Sequence, residues 1–261
     1  MQLVDWGRRE RARIVRARTN SALAAQGRSF GGAMPGRPAR NAARVDTPLE
    51  RYFDANLEGP GIWKWRHYFD AYHRHLGKLC AKPVSIVEIG IYSGGSLGMW
   101  RDYFGSDCTI YGVDIEPVCK AYESDGIHVL IGDQADPAFW ERFRREVPPV
   151  DVVIDDGGHE AHQQVATLEA LIGHIKPGGV YACEDIHGEN NPFGHYIAGL
   201  SQNLHAHRGE TTPFQRTVES VHLYPYLTVL EIAECPRTEL VAPQHGTQWQ
   251  PIPMPGAPTL A

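Results

Sequence analysis

Residues 84–114 constrain the fold more than any other stretch of the chain. A short apolar run, Ser85–Ile89, is followed by a turn of small residues at 93–96, and a second apolar run at 109–113 ends in Asp114. The pattern predicts a strand, a glycine-rich turn, a helix and a second strand. Glycine lets the backbone approach a ligand at a helix N-terminus, and an acid after the second strand can accept hydrogen bonds from a ribose. The segment therefore predicts a nucleoside-cofactor site.

The glycine spacing separates two kinds of cofactor. Glycines stand at 90, 94, 95 and 98, so the G-x-G-x-x-G pattern of dinucleotide sites is missing. The sequence E-I-G-x-x-x-G-G-S resembles the first motif of class I S-adenosylmethionine-dependent methyltransferases, whose glycine loop lies against the methionine moiety. This resemblance favours S-adenosylmethionine over NAD or FAD. The alternative is that these glycines only form a tight turn in an α/β domain.

Alternating helical and strand patterns continue along the chain. Further apolar runs at 127–131, 150–154 and 180–183 predict strands, and β-rich runs at 217–223 and 227–234 flank a Tyr-Pro-Tyr turn. The expected fold is α/β: a Rossmann-like class I methyltransferase sheet of five parallel strands plus a C-terminal antiparallel hairpin, with helices on both faces. An aromatic helix at 63–76 is expected to pack on the sheet; if it instead roofs the cofactor, Lys64, His67 and Tyr68 are candidates to face it.

Composition suggests three regions. Residues 1–47 are basic, with ten arginines before residue 47, and are expected to be a poorly ordered extension. A solvated tail, an organelle-targeting peptide and a mistaken start codon remain alternatives for it. Residues 48–240 form the predicted methyltransferase domain, and residues 241–261, rich in proline and glutamine, form a predicted irregular tail.

Charge and cysteine content indicate the type of partner and the compartment. The formal net charge is −6, which argues against general binding to nucleic acid or to a membrane surface. No apolar run approaches the ~20 residues of a membrane span, and no signal-peptide pattern follows the first residue. The five cysteines are scattered without a C-x-x-C pair, which favours reduced thiols in the cytoplasm. We expect a small-molecule partner; a homo-oligomer remains possible.

Acidic residues follow two predicted strands that should be neighbours. Asp155, Asp156 and His159 lie in the D-D-G-G-H motif after the fourth strand, and Glu184 and Asp185 follow the fifth. Ligands of open α/β sheets bind outside the C-terminal strand ends, so the acids should converge there. No basic residue adjoins either motif, and a hard divalent cation such as Mg²⁺ is therefore the expected counter-charge.

Five motifs in order strengthen the resemblance. E-I-G-x-x-x-G-G-S, G-V-D-I, G-D-Q, V-D-V-V-I-D-D-G-G-H and K-P-G-G-V-Y-A-C-E-D, between residues 63 and 185, resemble the metal-dependent macrolide sugar O-methyltransferases and the related cephalosporin hydroxylase family. The resemblance implies Mg²⁺ or another divalent cation on Asp156, Glu184 and Asp185, with His159 as general base. The candidate cofactor-binding residues are Glu88, Gly90, Tyr92, Ser93, Gly94, Ser96, Asp114, Asp133, Gln134 and Asp156.

Side-chain direction qualifies two of these assignments. Consecutive strand residues face opposite sides, so Glu184 and Asp185 can share one ion only if the strand has already turned. Asp185 is the better candidate of the two. For the same reason Asp155 is expected to cap a helix or hold backbone amides rather than bind the cation. His162, His187 and His195 are alternatives to His159 as the base.

Together these features predict a function. The chain is expected to be a divalent-metal-dependent O-methyltransferase that uses S-adenosylmethionine and methylates a hydroxyl of a sugar or other secondary metabolite. An NAD(P)-dependent oxidoreductase and a non-catalytic cofactor-binding protein are the alternatives. No motif after residue 185 identifies the acceptor.

Overall fold

The computed structural model describes residues 2–36, 46–206, 210–243 and 245–246. The chain divides into two compact units, Met1–Arg44 and Val45–Ala261. In the first unit, helix α1 spans Gln2–Ala33, and the poorly ordered basic extension stays a prediction. Alanine, arginine and glutamine favour a helix even without an apolar stripe. Most of the predicted tail at 241–261 lies outside the described residues.

The second unit contains one seven-stranded sheet in the order β3-β2-β1-β4-β5-β7-β6. Strands β1 to β5 are parallel, and β7 is antiparallel to both β5 and β6. The predicted parallel sheet with a terminal hairpin is confirmed. The strands are β1 Ser85–Ile89, β2 Thr109–Asp114, β3 Ile127–Ile131, β4 Val150–Asp155, β5 Ile175–Cys183, β6 Val218–Tyr224 and β7 Leu227–Ile232.

Helices follow the expected positions with shifted ends. The aromatic helix begins at Arg66, three residues later than predicted, and a proline-initiated segment after β2 forms a 3₁₀ helix, Pro117–Tyr122. The helix Pro137–Glu146 begins with proline and has Asp136 as its N-cap, as the sequence indicates. The remaining helices are α2 Pro48–Ala55, α3 Arg66–Leu76, α4 Gly95–Phe104, α5 Pro137–Glu146, α6 Ala161–Leu171, α7 Pro192–Ser201 and α8 Pro213–Thr217.

Hydrophobic cores cover both faces of the sheet. Residues from α2, α3 and α4 bury one face, where Tyr72 and Trp100 are among the largest fully buried side chains. Residues from α5, α6 and α7 bury the other face around Trp140 and Phe193. The sheet is therefore enclosed by apolar packing, and polar side chains gather at the C-terminal edge of its parallel strands.

Gly90 brings the ends of β1 and β4 together. Its φ is +82°, and a Cβ there would lie 2.1 Å from the carbonyl oxygen of Asp156. Only glycine fits such an approach without moving the backbone. The cofactor turn and the acidic loop after β4 are consequently held side by side.

Among the described helices, none has the length and apolar character that crossing a bilayer requires.

Candidate active site

A cavity of about 620 Å³ opens at the C-terminal edge of the parallel strands. The ends of β1, β2, β3 and β4 form its floor, and residues 61–65, just before α3, form its roof. Most of the predicted site residues line it: Gly90, Tyr92, Ser93, Ser96, Asp114, Asp133, Gln134, Asp156, His159 and Asp185. Glu88, Gly94 and Glu184 are not among the lining residues.

The glycine turn is packed too closely to accept larger residues. Gly94 has φ +75°, and a Cβ there would collide with the Tyr122 ring. A Cβ on Gly95 would lie 2.4 Å from the carbonyl oxygen of Gly61, so the turn lies directly against the roof. Helix α4 begins at Gly95, and its first amides are available to a carboxylate or other anion at this end of the cavity. Gly94 therefore shapes the turn without facing the cavity.

Asp114 and Asp133 reach the cavity as their strand-end positions predict. Asp114 accepts hydrogen bonds from the backbone N–H groups of Tyr92 (3.0 Å) and Glu116 (2.9 Å), which fix its carboxylate. Asp133 is exposed and accepts from the amide of Ala135 at 2.7 Å. Each carboxylate retains lone pairs for a ligand because one oxygen can accept more than one hydrogen bond.

Gln134 links the ends of β3 and β4. Its amide nitrogen donates to Asp155 Oδ1 and to Thr167 Oγ1, both at 3.1 Å, and its carbonyl oxygen accepts from the Gly158 amide at 2.7 Å. The side chain lines the cavity, yet its polar atoms are used within the protein. The structure thus gives Gln134 a role in fixing the loop that carries His159.

Asp155 points away from the cavity, as the strand alternation predicts. Its carboxylate is buried and accepts from Gln134 and from the Tyr181 hydroxyl at 3.0 Å. Burial raises its pKa to about 7, although both hydrogen bonds oppose the shift. Asp155 accepts a hydrogen bond from the backbone of Gly157 as well, so it holds a backbone amide, as predicted, together with two side chains of the core.

A buried lysine lies among the acids that follow the strands. The Nζ of Lys64 is 2.7 Å from Glu184 Oε1, 2.5 Å from Asp156 Oδ2 and 3.6 Å from Glu88 Oε1. The side chains of Lys64 and Glu184 are each 2% exposed, and that of Glu88 is fully buried. We call Lys64, Glu88 and Glu184 the closed cluster. The expectation that no basic residue compensates these acids is wrong, because Lys64 reaches them from the roof.

The closed cluster is further held by hydroxyl groups. Tyr72 of α3 donates to Glu184, and Ser96 of α4 donates to Glu88 at 2.8 Å. Burial alone would lower the pKa of Lys64, but Glu184, Asp156 and Glu88 raise it above its ordinary value. Burial raises the pKa values of Glu184 and Glu88, while Lys64 opposes both shifts. Lys64 therefore remains an ammonium group.

The remaining acids face the cavity with a histidine between them. His159 Nε2 lies 4.0 Å from Asp156 Oδ1 and 3.8 Å from Asp185 Oδ2. One potential ligand atom from each of the three residues lies within 4.8 Å of the others. We call Asp156, His159 and Asp185 the open cluster. Asp156 joins the two clusters, since its Oδ2 binds Lys64 and its Oδ1 faces His159.

The backbone turns between Glu184 and Asp185. Strand β5 ends at Cys183, and Asp185 has φ +56°, in the left-handed region. Glu184 is thereby directed into the protein and Asp185 toward the open cluster. Asp185 Oδ1 accepts from Trp65 Nε1 at 3.0 Å and from the Tyr68 hydroxyl at 2.9 Å. The turn that would let both acids approach one ion is present, but Glu184 is engaged by Lys64 and Tyr72.

Of the other histidines considered as the base or as cofactor contacts, only one lines the cavity. His187 lines the cavity, and its Nε2 lies 3.6 Å from Asp185 Oδ1, whereas His162 and His195 do not line it. His67 does not line the cavity, and its Nε2 is hydrogen-bonded to the Pro225 carbonyl oxygen. Sequence reasoning missed Tyr72 and the counter-ion role of Lys64. The i, i+4 spacing of Tyr68 and Tyr72 on one helix face was the available signal, but it equally indicates core packing.

Comparison with known proteins bears on this site. Residues 87–186 match the family described as "Methyltransferase domain". A 2'-O-methyltransferase of 8-demethyl-8-alpha-L-rhamnosyl tetracenomycin-C from Streptomyces olivaceus is 31% identical over 198 residues, which are 66% of this chain and 52% of the relative. Demethylmacrocin O-methyltransferase from Streptomyces fradiae is 37% identical over 132 residues, or 48% of this chain and 33% of the relative. The chain thus spans about half the length of these relatives or less.

A solved structure has the same fold. The MycE methyltransferase of the mycinamycin biosynthetic pathway, in complex with Mg, SAH and mycinamycin VI, superposes with a TM-score of 0.61 at 26% identity. The match covers 71% of this chain and 52% of MycE. The sequence motifs, the strand order of the sheet and these relatives all indicate a methyltransferase fold. Residues 87–186 therefore match a methyltransferase domain, and the resemblance to the class I macrolide sugar O-methyltransferases is confirmed.

Proposed function

We propose that the chain is an S-adenosylmethionine-dependent O-methyltransferase that requires a divalent cation and methylates a sugar hydroxyl of a small-molecule acceptor. The observation that carries this proposal is the open cluster, which joins two carboxylates and a histidine at the edge of a cofactor-sized cavity. An anionic site with a base beside it suits proton removal from a hydroxyl. The family match supports the choice of cofactor.

The cavity offers a separate contact for each part of S-adenosylmethionine. The first amides of α4 suit its carboxylate, Asp114 suits the ribose hydroxyls, and Asp133 suits the adenine amine. The cavity volume of about 620 Å³ lies in the range of small-molecule sites. Gly90 and Tyr92 complete the wall beside the ribose position.

The open cluster fits a hard divalent cation. Asp156 and Asp185 provide carboxylate oxygens, which Mg²⁺ prefers, and water can complete the coordination because the cation keeps several waters in proteins. The Glu184 carboxylate instead accepts hydrogen bonds from Lys64 and Tyr72 in the closed cluster. The arrangement supports Asp156 and Asp185 as the ligands, while the assignment of Glu184 stays a prediction.

We assign the role of general base to His159. Its side chain is 40% exposed, so an acceptor hydroxyl can approach the imidazole, and the two flanking carboxylates stabilise the imidazolium that results. When bound, S-adenosylmethionine supplies an electrophilic methyl group and the cation raises the acidity of the acceptor hydroxyl. His159 takes the hydroxyl proton as the oxygen–methyl bond forms and the sulfur–methyl bond breaks. The products are a methyl ether and S-adenosylhomocysteine.

An aromatic rim beside the open cluster supports a sugar as the acceptor. Trp65, His187 and Tyr226 have ring centroids 4.6 to 6.1 Å apart, and Trp65 also binds Asp185. Flat aromatic surfaces beside polar groups suit a ring with one apolar face and several hydroxyls. The carboxylates disfavour a phosphate-rich nucleic acid. The relatives' names, which describe a rhamnosyl tetracenomycin and demethylmacrocin, agree with a glycosylated acceptor.

Calorimetric titration tests the proposal. S-adenosylmethionine and S-adenosylhomocysteine are titrated into the full chain with and without Mg²⁺, with NADH as the control ligand. We expect binding of the first two at micromolar concentrations and none of NADH. In parallel, Asp156→Ala should abolish metal-dependent turnover while leaving affinity for S-adenosylhomocysteine nearly intact.

Two outcomes would contradict the proposal. Binding of NADH without binding of S-adenosylhomocysteine would favour an oxidoreductase. Full turnover of Asp156→Ala in the presence of a chelator would remove the cation from the reaction.

A further inference from the structure

A second group of metal-binding side chains lies outside the cavity. His75, at the end of α3, meets His222 of β6 and Glu231 of β7. One potential ligand atom from each lies within 4.8 Å of the other two. We call these three residues the hairpin cluster. None of them lines the cavity, and the proposed methyl transfer does not use them.

Strand register explains why the three residues meet. Ser220 is paired with Glu231, and Ser220 and His222 lie two residues apart, so their side chains leave the hairpin on the same face. Helix α3 packs on that face. Tyr68, Tyr72 and His75 follow the i, i+4, i+7 pattern, which directs all three toward the sheet.

The cluster is separated from the open cluster along the sheet. Glu231 is paired with Val180 of β5, three residues before the strand ends at Cys183, and Asp185 of the open cluster lies beyond that end. At a rise of about 3.3 Å per residue, the three strand residues alone correspond to about 10 Å. One ion therefore cannot serve both clusters, and binding at each can be measured separately.

The side chains of the hairpin cluster converge on one point, as the distances between their nitrogen and oxygen atoms show. His75 Nδ1 lies 3.1 Å from Glu231 Oε1, and His222 Nε2 lies 3.8 Å from Glu231 Oε2. The two imidazole rings have centroids 4.5 Å apart. His75 is 3% exposed and His222 is 37% exposed, so the site is anchored in the core and accessible from one side.

A hydrogen bond from the hairpin orients the imidazole of His75, whose Nε2 is 2.8 Å from the Tyr224 hydroxyl. Metal-binding histidines usually engage their other ring nitrogen in this way. Ser220 Oγ is 3.3 Å from Glu231 Oε2 and 2.9 Å from His222 Nε2, the nitrogen that also faces Glu231, so an ion at this site replaces that contact of His222. With Nε2 of His75 held by Tyr224, Nδ1 is the nitrogen directed toward Glu231.

The donor set identifies the class of ion. Two imidazole nitrogens with one carboxylate is the set of several zinc enzymes, in which water takes the fourth position. Imidazole favours Zn²⁺ and its neighbours in the transition series over Mg²⁺ or Ca²⁺, which prefer oxygen. Within the described part of the chain, Lys78 is the only lysine that forms an ion pair with this cluster. Its Nζ lies 3.7 Å from Glu231 Oε1, and because the side chain is 46% exposed it can move away when an ion binds.

We propose that His75, His222 and Glu231 bind one transition-metal ion of the Zn²⁺ class, with water as a further ligand. The ion joins helix α3 to the C-terminal hairpin. Because α3 also presents Tyr72 to Glu184 and Tyr68 to Asp185, the ion stabilises the position of these hydroxyls as well. Its role is structural and does not depend on the proposed methyl transfer.

Zn²⁺ titration of the full chain tests the site. The measurements use a chelator-treated His159→Ala, Asp185→Asn double variant, which removes two of the three open-cluster side chains as competitors. Calorimetry should show one Zn²⁺ per chain, and Zn²⁺ should raise the thermal unfolding temperature. Adding His222→Asn or Glu231→Gln should lower the Zn²⁺ affinity at least tenfold and remove the thermal shift.

A matched control separates this site from exposed histidines elsewhere. His195→Asn changes an exposed histidine outside both clusters and should leave the stoichiometry and the affinity unchanged. Circular dichroism on both hairpin-cluster variants checks that each is folded. Unchanged Zn²⁺ affinity in folded His222→Asn and Glu231→Gln would overturn the proposal. An equal loss in His195→Asn would do the same.

Discussion

Glu184 and Asp185 are neighbours in the sequence but lie in different surroundings. In the closed cluster, Glu184 is buried and bonded by Lys64 and Tyr72. In the open cluster, Asp185 is 24% exposed and faces His159 across a cavity. The comparison shows that adjacent acids at one sheet edge can have different counter-charges. The Lys64 ammonium compensates the closed cluster and also pairs with Asp156, whereas Asp185 lines the cavity, where a cation from solution can approach it.

Loss of the base in the open cluster should have the largest effect on the rate. We expect His159→Ala to lower turnover by about 10²–10⁴-fold, since a general base contributes that much, and to remove the acidic limb of the pH–rate profile. Steady-state kinetics over a range of pH measures both. The stability of the fold should change little because the side chain is 40% exposed. An unchanged pH profile would transfer the role to another residue, such as His187.

Loss of the ammonium in the closed cluster should act on folding instead. We expect Lys64→Met to lower the free energy of unfolding by about 3–5 kcal/mol, because it leaves buried carboxylates without their partner. Urea denaturation measures the change. Lys120→Met, which removes an exposed pair with Glu123 and a hydrogen bond to the Val129 carbonyl oxygen, is the matched control and should cost much less. Equal losses in the two variants would show that the closed cluster is not the stabilising pair inferred here.

The two adjacent acids can be compared directly. Asp185→Asn should weaken Mg²⁺ binding by about 10–100-fold, a loss typical of altered metal sites. Glu184→Gln should change it less than about threefold if Lys64 retains that side chain, a change below 1 kcal/mol. Calorimetry in the presence of S-adenosylhomocysteine provides the affinities. Equal weakening would return Glu184 to the ligand set.

The smallest expected effect concerns Asp155, a buried acid without an ammonium partner, whose ionisation should change the stability of the fold with pH. Its pKa is raised to about 7, so the folded state holds a proton that the unfolded state loses near pH 4. Stability should therefore fall as pH rises from about 4 to about 7. Between pH 5 and 7 the wild type should lose roughly 2 kcal/mol more than Asp155→Asn, since one pKa unit equals about 1.4 kcal/mol. Parallel stability curves for the two proteins would contradict this assignment.

Local pattern was sufficient to predict the sheet. The bounds of β1 and β3 and the capped start of α5 follow from apolar runs ended by Gly, Asp or Pro. The neighbouring positions of β4 and β5 followed from the fold resemblance, and with them the convergence of Asp156 and Asp185. These features depend on short-range sequence or on one topological rule.

The counter-charge could not be predicted in the same way. Lys64 is 92 residues from Asp156 and 120 from Glu184, and no periodicity connects such positions. The direction of Glu184 depends on a single backbone turn at Asp185, which propensity does not indicate. The hairpin cluster depends on the register of β6 and β7 together with the packing of α3.

The position of Lys64 has a consequence for the smallest unit that can fold. The family match begins at residue 87, but the ammonium that neutralises Glu88 and Glu184 comes from before α3. A shortened chain that starts at β1 would keep every strand of the sheet while leaving these acids buried without a cation. The domain boundary set by charge therefore lies before residue 64, more than twenty residues ahead of the boundary set by sequence similarity.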